Sequence, residues 1–203
     1  GFGLVIGADG AGKGFLLADM LLSCALGRQI NIPTLARRGV PLRVLYLSYE
    51  DSASILKWRM DRITAAAGMD ADIWHTTNLS FICEPEPLYV QAGHDIPKPT
   101  EALTRLRQHL ITNKIDIVVI DPLSACAILQ NENDNSALNV VACSLRAMAA
   151  DTGCAVLLVH HTSKAGRLVS GDHQTARGGS ALGGAARWCL SLTQSQDDKF
   201  LLD

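Results

Sequence analysis

Short apolar runs alternate with longer helix-patterned stretches along nearly the whole chain. Leu4-Val5-Ile6, Arg43 to Ser48, Ile115 to Ile120, Cys154 to Val159 and Trp188 to Leu192 each read as a short buried strand. Between them lie four stretches with helical pattern. Phe15 to Gly27 is apolar nearly all round, with Gly27 as its stop. Ser52 to Ala67 begins on a serine able to cap a helix. Thr100 to Thr112 sets Leu103, Leu106, Leu110 and Ile111 on one face, and Ser136 to Ala150 is again apolar-rich. Leu79 to Ile82 predicts one more strand, inside a proline-interrupted region from 73 to 98. Residues 123 to 134 read as a loose polar segment, and 162 to 178 as a long polar loop of the kind that usually carries function.

Strands apolar on both faces, alternating with helices, predict an α/β fold: a parallel sheet covered on two sides. Such sheets bind ligands at the C-terminal ends of their strands. The residues at those ends are Gly7 onward, Glu50-Asp51, Asp121 and His160-His161.

Composition narrows the classes of function. The net charge is −2, so a monomer held to nucleic acid by one large basic face is disfavoured. Contacts to nucleic acid would be local or pooled across subunits. Cys24, Cys83, Cys126, Cys143, Cys154 and Cys189 include no C-x-x-C pair and no zinc-finger spacing. We read them as reduced thiols of a cytoplasmic protein. No signal segment is recognisable, and the most apolar helix is too short to span a bilayer.

The first strand end carries the strongest signal. Gly7-Ala8-Asp9-Gly10-Ala11-Gly12-Lys13-Gly14 matches the G-x-x-x-x-G-K phosphate-binding loop. Glycines there let successive backbone N–H groups turn toward phosphate oxygens, and Lys13 would reach the β- and γ-phosphates. The bare pattern arises by chance in roughly one chain in twenty of this size. The strand before it and the helix after it are what make it specific. Gly14 departs from the motif, which has Ser or Thr here to ligate Mg²⁺. A water would have to take that coordination site.

Three further strand ends fit around a nucleotide. Asp121 closes an apolar strand and would hold Mg²⁺ through water. Glu50 is the candidate general base for the attacking water, whereas Asp51 is placed to cap the next helix. A histidine at the fourth strand end would sense the γ-phosphate. Lys164, Arg167, His173 and Arg177 make the following loop locally basic, and Arg187 is a candidate arginine finger.

The order of these motifs resembles the RecA-like ATPase core, and most of all the RepA-type hexameric replicative helicases of plasmids, relatives of the DnaB helicases. The likeness runs over roughly residues 3 to 193. It is carried by the loop at Gly7, Glu50-Asp51, Asp121, the segment Ala149 to Cys154, His160-His161-Thr162-Ser163-Lys164, Gly171-Asp172-His173-Gln174, Arg177-Gly178-Gly179-Ser180 and Arg187-Trp188. The resemblance implies ATP and Mg²⁺ as cofactors, with Lys13 on phosphate, Glu50 as the catalytic carboxylate and Asp121 at the Mg²⁺ shell. It implies His161 as γ-phosphate sensor and Arg187 as a finger given to the next subunit of a hexameric ring. It also implies that loops around 124 to 135 and 163 to 178 face a central channel, with Lys164, Arg167 and Arg177 touching single-stranded DNA. The chain begins without Met on a strand-like run and stops just after another, Lys199 to Leu202. We therefore expect a single RecA-like domain over residues 1–203, cut from a longer protein.

Three other readings stay open at this point. A nucleotide-binding regulator or degenerate ATPase of the same fold is favoured by Gly14. A RecA- or RadA-like recombination or repair ATPase would form a filament rather than a ring. A P-loop phosphotransferase is the weakest, for want of a recognisable arginine-rich lid.

Overall fold

The apolar runs pair side by side into one sheet. The computed structural model describes residues 1–32, 39–93, 95–162, 180–194 and 200–202. The strands are β1 (Phe2–Ala8), β2 (Val44–Ser48), β3 (Leu79–Cys83), β4 (Tyr89–Val90), β5 (Lys98–Pro99), β6 (Ile117–Asp121), β7 (Ala127–Ile128), β8 (Ala155–Thr162), β9 (Cys189–Gln194) and β10 (Phe200–Leu202). The helices are α1 (Lys13–Leu26), α2 (Ala53–Ala66), α3 (Glu101–Thr112), α4 (Leu123–Cys126), α5 (Asn135–Thr152) and α6 (Ser180–Ala185). The main sheet has the order β10-β9-β1-β8-β6-β2-β3. All its neighbours run parallel except β10, which is antiparallel to β9 at one edge.

Side chains alternate across a strand, so a strand buried on both faces feeds two separate cores. Leu4, Ile6, Leu45, Val118, Ile120, Val156 and Leu158 face one core, which α3, α5 and α6 cover with Leu106, Leu110, Leu138, Leu145 and Leu182. Val5, Val44, Tyr46, Val119, Leu157 and Val159 face the other, covered by α1 and α2 with Leu17, Leu21, Leu22, Leu56, Met60 and Ile63. Gly27 ends α1 in the left-handed conformation, and its N–H returns to the Cys24 carbonyl.

Four expectations need correction. Residues 123 to 134 are not loose throughout. Leu123–Cys126 is helical, and Ala127–Ile128 pairs in parallel with Tyr89–Val90 in a small sheet of order β5-β4-β7. Leu123, Cys126 and Ala127 are buried there, and the Tyr89 hydroxyl reaches Ser144 Oγ at 2.9 Å. In α3 the buried stripe is Ala102, Leu106 and Leu110, while Ile111 is exposed. One residue turns a helix by about 100°, which carries Ile111 off the stripe that Leu110 ends. The short helix α6 has no signal in the sequence, because Gly183-Gly184 inside it obscures any period. His160 and His161 lie within β8 rather than beyond it.

Among the described residues no helix is long and apolar enough to cross a membrane. All six cysteines are free, with Cys24, Cys126 and Cys154 buried and Cys189 exposed. Burial lifts the Cys126 and Cys154 thiols to about 12, so both stay protonated at neutral pH.

Candidate functional site

The parallel register brings the C-terminal ends of β1, β8, β6 and β2 to one edge of the sheet. Gly7 lies level with His161 of β8, and Ser48 of β2 lies level with Asp121 of β6. The Tyr49 N–H donates to the Asp121 carbonyl at 2.9 Å, which locks the ends of β2 and β6 together.

The loop from Gly7 to Gly14 leaves β1 and enters α1 at Lys13. Gly10 and Gly12 have φ of 74° and 85°, a region that side chains other than glycine rarely adopt. At Gly7 an added Cβ would lie 2.7 Å from the Leu192 carbonyl oxygen of β9. Only glycine lets β1 and β9 come that close. Lys13 is buried, and its Nζ donates to the Gly7 and Ala8 carbonyls, each at 2.8 Å. Burial pulls its pKa below the usual lysine value, against the pull of the Asp9, Asp121 and Glu50 carboxylates. A cation buried under a loop of inward backbone N–H groups is built to meet an anion.

Asp121 sits at the end of β6, largely out of water. The buried Tyr46 hydroxyl of β2 donates a short hydrogen bond to its Oδ2. Burial raises the Asp121 pKa above the usual carboxylate value, and the neighbouring Asp51 charge adds to this. The Tyr46 hydrogen bond, His161 and Lys13 oppose it. Tyr46 is itself pushed well above the usual phenol value, by burial first and the Asp121 charge second. The sequence marks Tyr46 only as a strand residue. The available signal is a hydroxyl-bearing side chain two positions before the end of an otherwise apolar strand.

Glu50 follows β2 and is exposed, at 55% of its side chain. His161 lies between it and the phosphate-loop segment. The His161 Nδ1 shares a short hydrogen bond with Asp9 Oδ1, and its Nε2 lies 3.9 Å from Glu50 Oε2. His160 points to the opposite face of β8, toward Leu123, Ser124 and Leu138. Burial lowers its pKa below the usual histidine value, with the His161 and Lys13 charges adding to the effect.

Contrary to the expectation from sequence, Asp51 does not cap α2. Its carboxylate takes a two-pronged pair from Arg59 instead, with Nη2 at 3.0 Å from Oδ1 and a short bond from Nη1 to Oδ2. The cap residue of α2 is Ser52, whose side chain makes no capping bond and meets Ser54 Oγ at 2.9 Å. Arg59 itself escapes sequence reasoning, because nothing in its spacing marks one arginine of an amphipathic helix above another.

Thus Lys13, Glu50, Asp121 and His161 are brought together, and Arg187 is not. The Arg187 N–H donates to the Phe2 carbonyl at the start of β1, about 20 Å of strand away from the loop. Lys164, Arg167 and Arg177 lie outside the described residues. So does most of the 162 to 178 loop.

Among the described residues no group of three or more His, Cys, Asp or Glu is arranged to hold a metal ion by itself. The donor set does fit Mg²⁺ held jointly with a nucleotide. Asp121 supplies a hard carboxylate oxygen, and its burial leaves it short of positive charge.

Comparison with known proteins agrees with the architecture. A family model described as an AAA domain matches residues 1–167. The solved ATPase domain of a DnaB-like helicase superposes with a TM-score of 0.65 over 97% of this chain and 70% of that one, at 14% identity. At that identity the likeness speaks for the fold, which is α/β and RecA-like with a P-loop.

Proposed function

The chain belongs to the AAA domain family, and on that premise we propose that it is the ATP-hydrolysing motor core of a hexameric replicative DNA helicase. The observation that carries this reading is the convergence of Lys13, Asp121, Glu50 and His161 at adjacent parallel strand ends around a phosphate loop.

Each residue then has a task. The inward N–H groups of residues 8 to 13 bind the phosphates of ATP, and Lys13 exchanges its two carbonyl partners for phosphate oxygens. Glu50 orients a water against the γ-phosphorus and accepts its proton as the bond to the β–γ bridging oxygen breaks, giving ADP and inorganic phosphate. Mg²⁺, when bound with ATP, neutralises charge on the phosphate oxygens. Asp121 holds a water of the Mg²⁺ shell, and Tyr46 fixes the orientation of that carboxylate. His161, set between Asp9 and Glu50, reports whether a γ-phosphate is present.

Arg187 lies at the opposite end of β1, remote from the site of its own chain. In a ring that position suits a finger given to the neighbouring subunit. Single-stranded DNA would thread the ring, touched by Lys164, Arg167 and Arg177. A near-neutral chain suffices for this, because six copies pool their loop charges.

The test is ATP turnover with Mg²⁺, with and without single-stranded DNA, together with unwinding of a forked duplex. Stimulated turnover that Glu50→Gln abolishes supports the motor. A second reading, a nucleotide-binding regulator on the same fold, is favoured by one feature, the glycine at position 14. It predicts nucleotide binding with neither DNA stimulation nor unwinding.

A further inference from the structure

Position 14 is occupied, although Gly14 has no side chain. A Cβ built there would lie 2.7 Å from Arg59 Nη1, 2.9 Å from Cζ and 3.4 Å from Nη2. The guanidinium of α2 therefore fills the space beside the loop where the hydroxyl of a Ser or Thr would stand. It is held there from three sides. Asp51 grips it in a two-pronged pair, the Phe15 ring lies 5.8 Å from Cζ, and the Trp58 ring braces Phe15 edge-on at 5.5 Å. The Arg59 and Asp51 side chains are only 18% and 19% exposed. A guanidinium has five N–H donors, and Asp51 takes two, leaving three for other acceptors.

We propose that Arg59 is a phosphate-binding residue of this loop, admitted by Gly14, and that its fixed cation takes over part of the work that a metal-ligating hydroxyl and its Mg²⁺ do at a Ser or Thr loop. The charge argument is direct. A hydroxyl at position 14 is neutral and acts only by holding a divalent cation. A guanidinium brings its own positive charge, and its planar donors match phosphate oxygens. Asp51 serves as a positioning residue, keeping the side chain against the loop. Two consequences follow. Nucleotide binding depends on Mg²⁺ less than at a loop with the hydroxyl. Position 14 and position 59 are coupled, because a side chain at one displaces the other.

The inference rests on the nucleotide-binding reading above, so its test is built to tell the two apart. A fluorescent ATP analogue is titrated, with Mg²⁺ and again with excess chelator, into the parent, Arg59→Ala, Arg59→Lys, Gly14→Ser and the double variant Gly14→Ser/Arg59→Ala. Thermal unfolding of each is measured without nucleotide. The parent is expected to lose less than about threefold in affinity on chelation. Arg59→Ala weakens chelated binding by about tenfold or more, the effect of one charged hydrogen-bonding group. Arg59→Lys recovers only part of it, since lysine lacks the planar fork. Gly14→Ser alone lowers Tm and fails to tighten Mg²⁺-dependent binding. The double variant regains that Tm loss and binds well only with Mg²⁺.

A Gly14→Ser variant with unchanged Tm and tighter Mg²⁺-dependent binding overturns the proposal. So does chelated binding that ignores every change at 59. If the parent binds no nucleotide under either condition, the nucleotide reading falls and this inference falls with it. The Tm coupling between 14 and 59 still reports whether the two positions share one space.

Discussion

The two sides of the site are built differently. On the β1/β8 side, backbone does most of the work. The loop is shaped by Gly7, Gly10 and Gly12, and Lys13 is tied to two main-chain carbonyls. On the β2/β6 side the groups are side chains holding other side chains, Tyr46 on Asp121 and Arg59 on Asp51. His161 joins the sides through Asp9 and Glu50. A backbone cradle is suited to holding a charge of fixed shape. A side-chain network is suited to placing protons and water, because each of its members has protonation and rotamer states to choose from. The division predicts that changes on the first side act on affinity and changes on the second act on turnover.

The largest effect is expected on the second side. Glu50→Gln should cut ATP turnover by about 10²- to 10⁴-fold, the range for loss of a positioned general base, with nucleotide affinity little changed. Lys13→Ala should weaken nucleotide binding by about 10- to 100-fold, the scale of a charged hydrogen bond. If Lys13→Ala spares affinity while Glu50→Gln destroys it, the division of labour is reversed.

Smaller effects refine the picture. Tyr46→Phe removes the donor to a buried carboxylate and should lower stability by about 1–3 kcal/mol, read from chemical denaturation. Asp121→Asn keeps an acceptor for Tyr46 but removes a charge that burial disfavours. The Asp121 pKa is raised on folding, so the unfolded chain holds fewer protons and the penalty grows as pH rises above the ordinary carboxylate value of 3.8. Asp121→Asn should therefore raise Tm by a few degrees at pH 7 and show no advantage below about pH 4.

His160 gives the smallest signal, with the opposite sign. Its pKa is lowered on folding, so its share of stability is whole above the ordinary value of 6.5 and is lost as pH falls below it. His160→Gln should flatten the fall of Tm between about pH 6.5 and 5.

The same division explains what was legible in the sequence. The β1/β8 side is local in the chain. Gly7 to Gly14 spans one strand–turn–helix unit, and glycine spacing with a lysine is a readable pattern. The main strands were legible for a related reason, because burial on both faces forces unbroken runs such as Val118-Val119-Ile120. The β2/β6 network is assembled from residues 46, 51, 59 and 121, and only the folded sheet makes Tyr46 and Asp121 neighbours. Asp51 and Arg59 are eight residues apart, a spacing that marks no particular partnership on a helix. The small sheet of β4, β5 and β7 escaped for want of length. Each strand is two residues long, and two residues carry no period.

The alternation of His160 and His161 along β8 makes that strand a lever. One histidine touches the carboxylates at the site, and the next leans on Leu123 and Leu138 on the far side of the sheet. The strand between them is hydrogen-bonded to β1 on one flank and β6 on the other. It cannot bend locally without breaking those ladders, so a push on His161 must travel as a tilt of the whole strand end. The wedge between α4 and α5 would feel that tilt at once. Mechanical work done at the phosphates is thereby delivered to the opposite face without any chain of contacts through the loops.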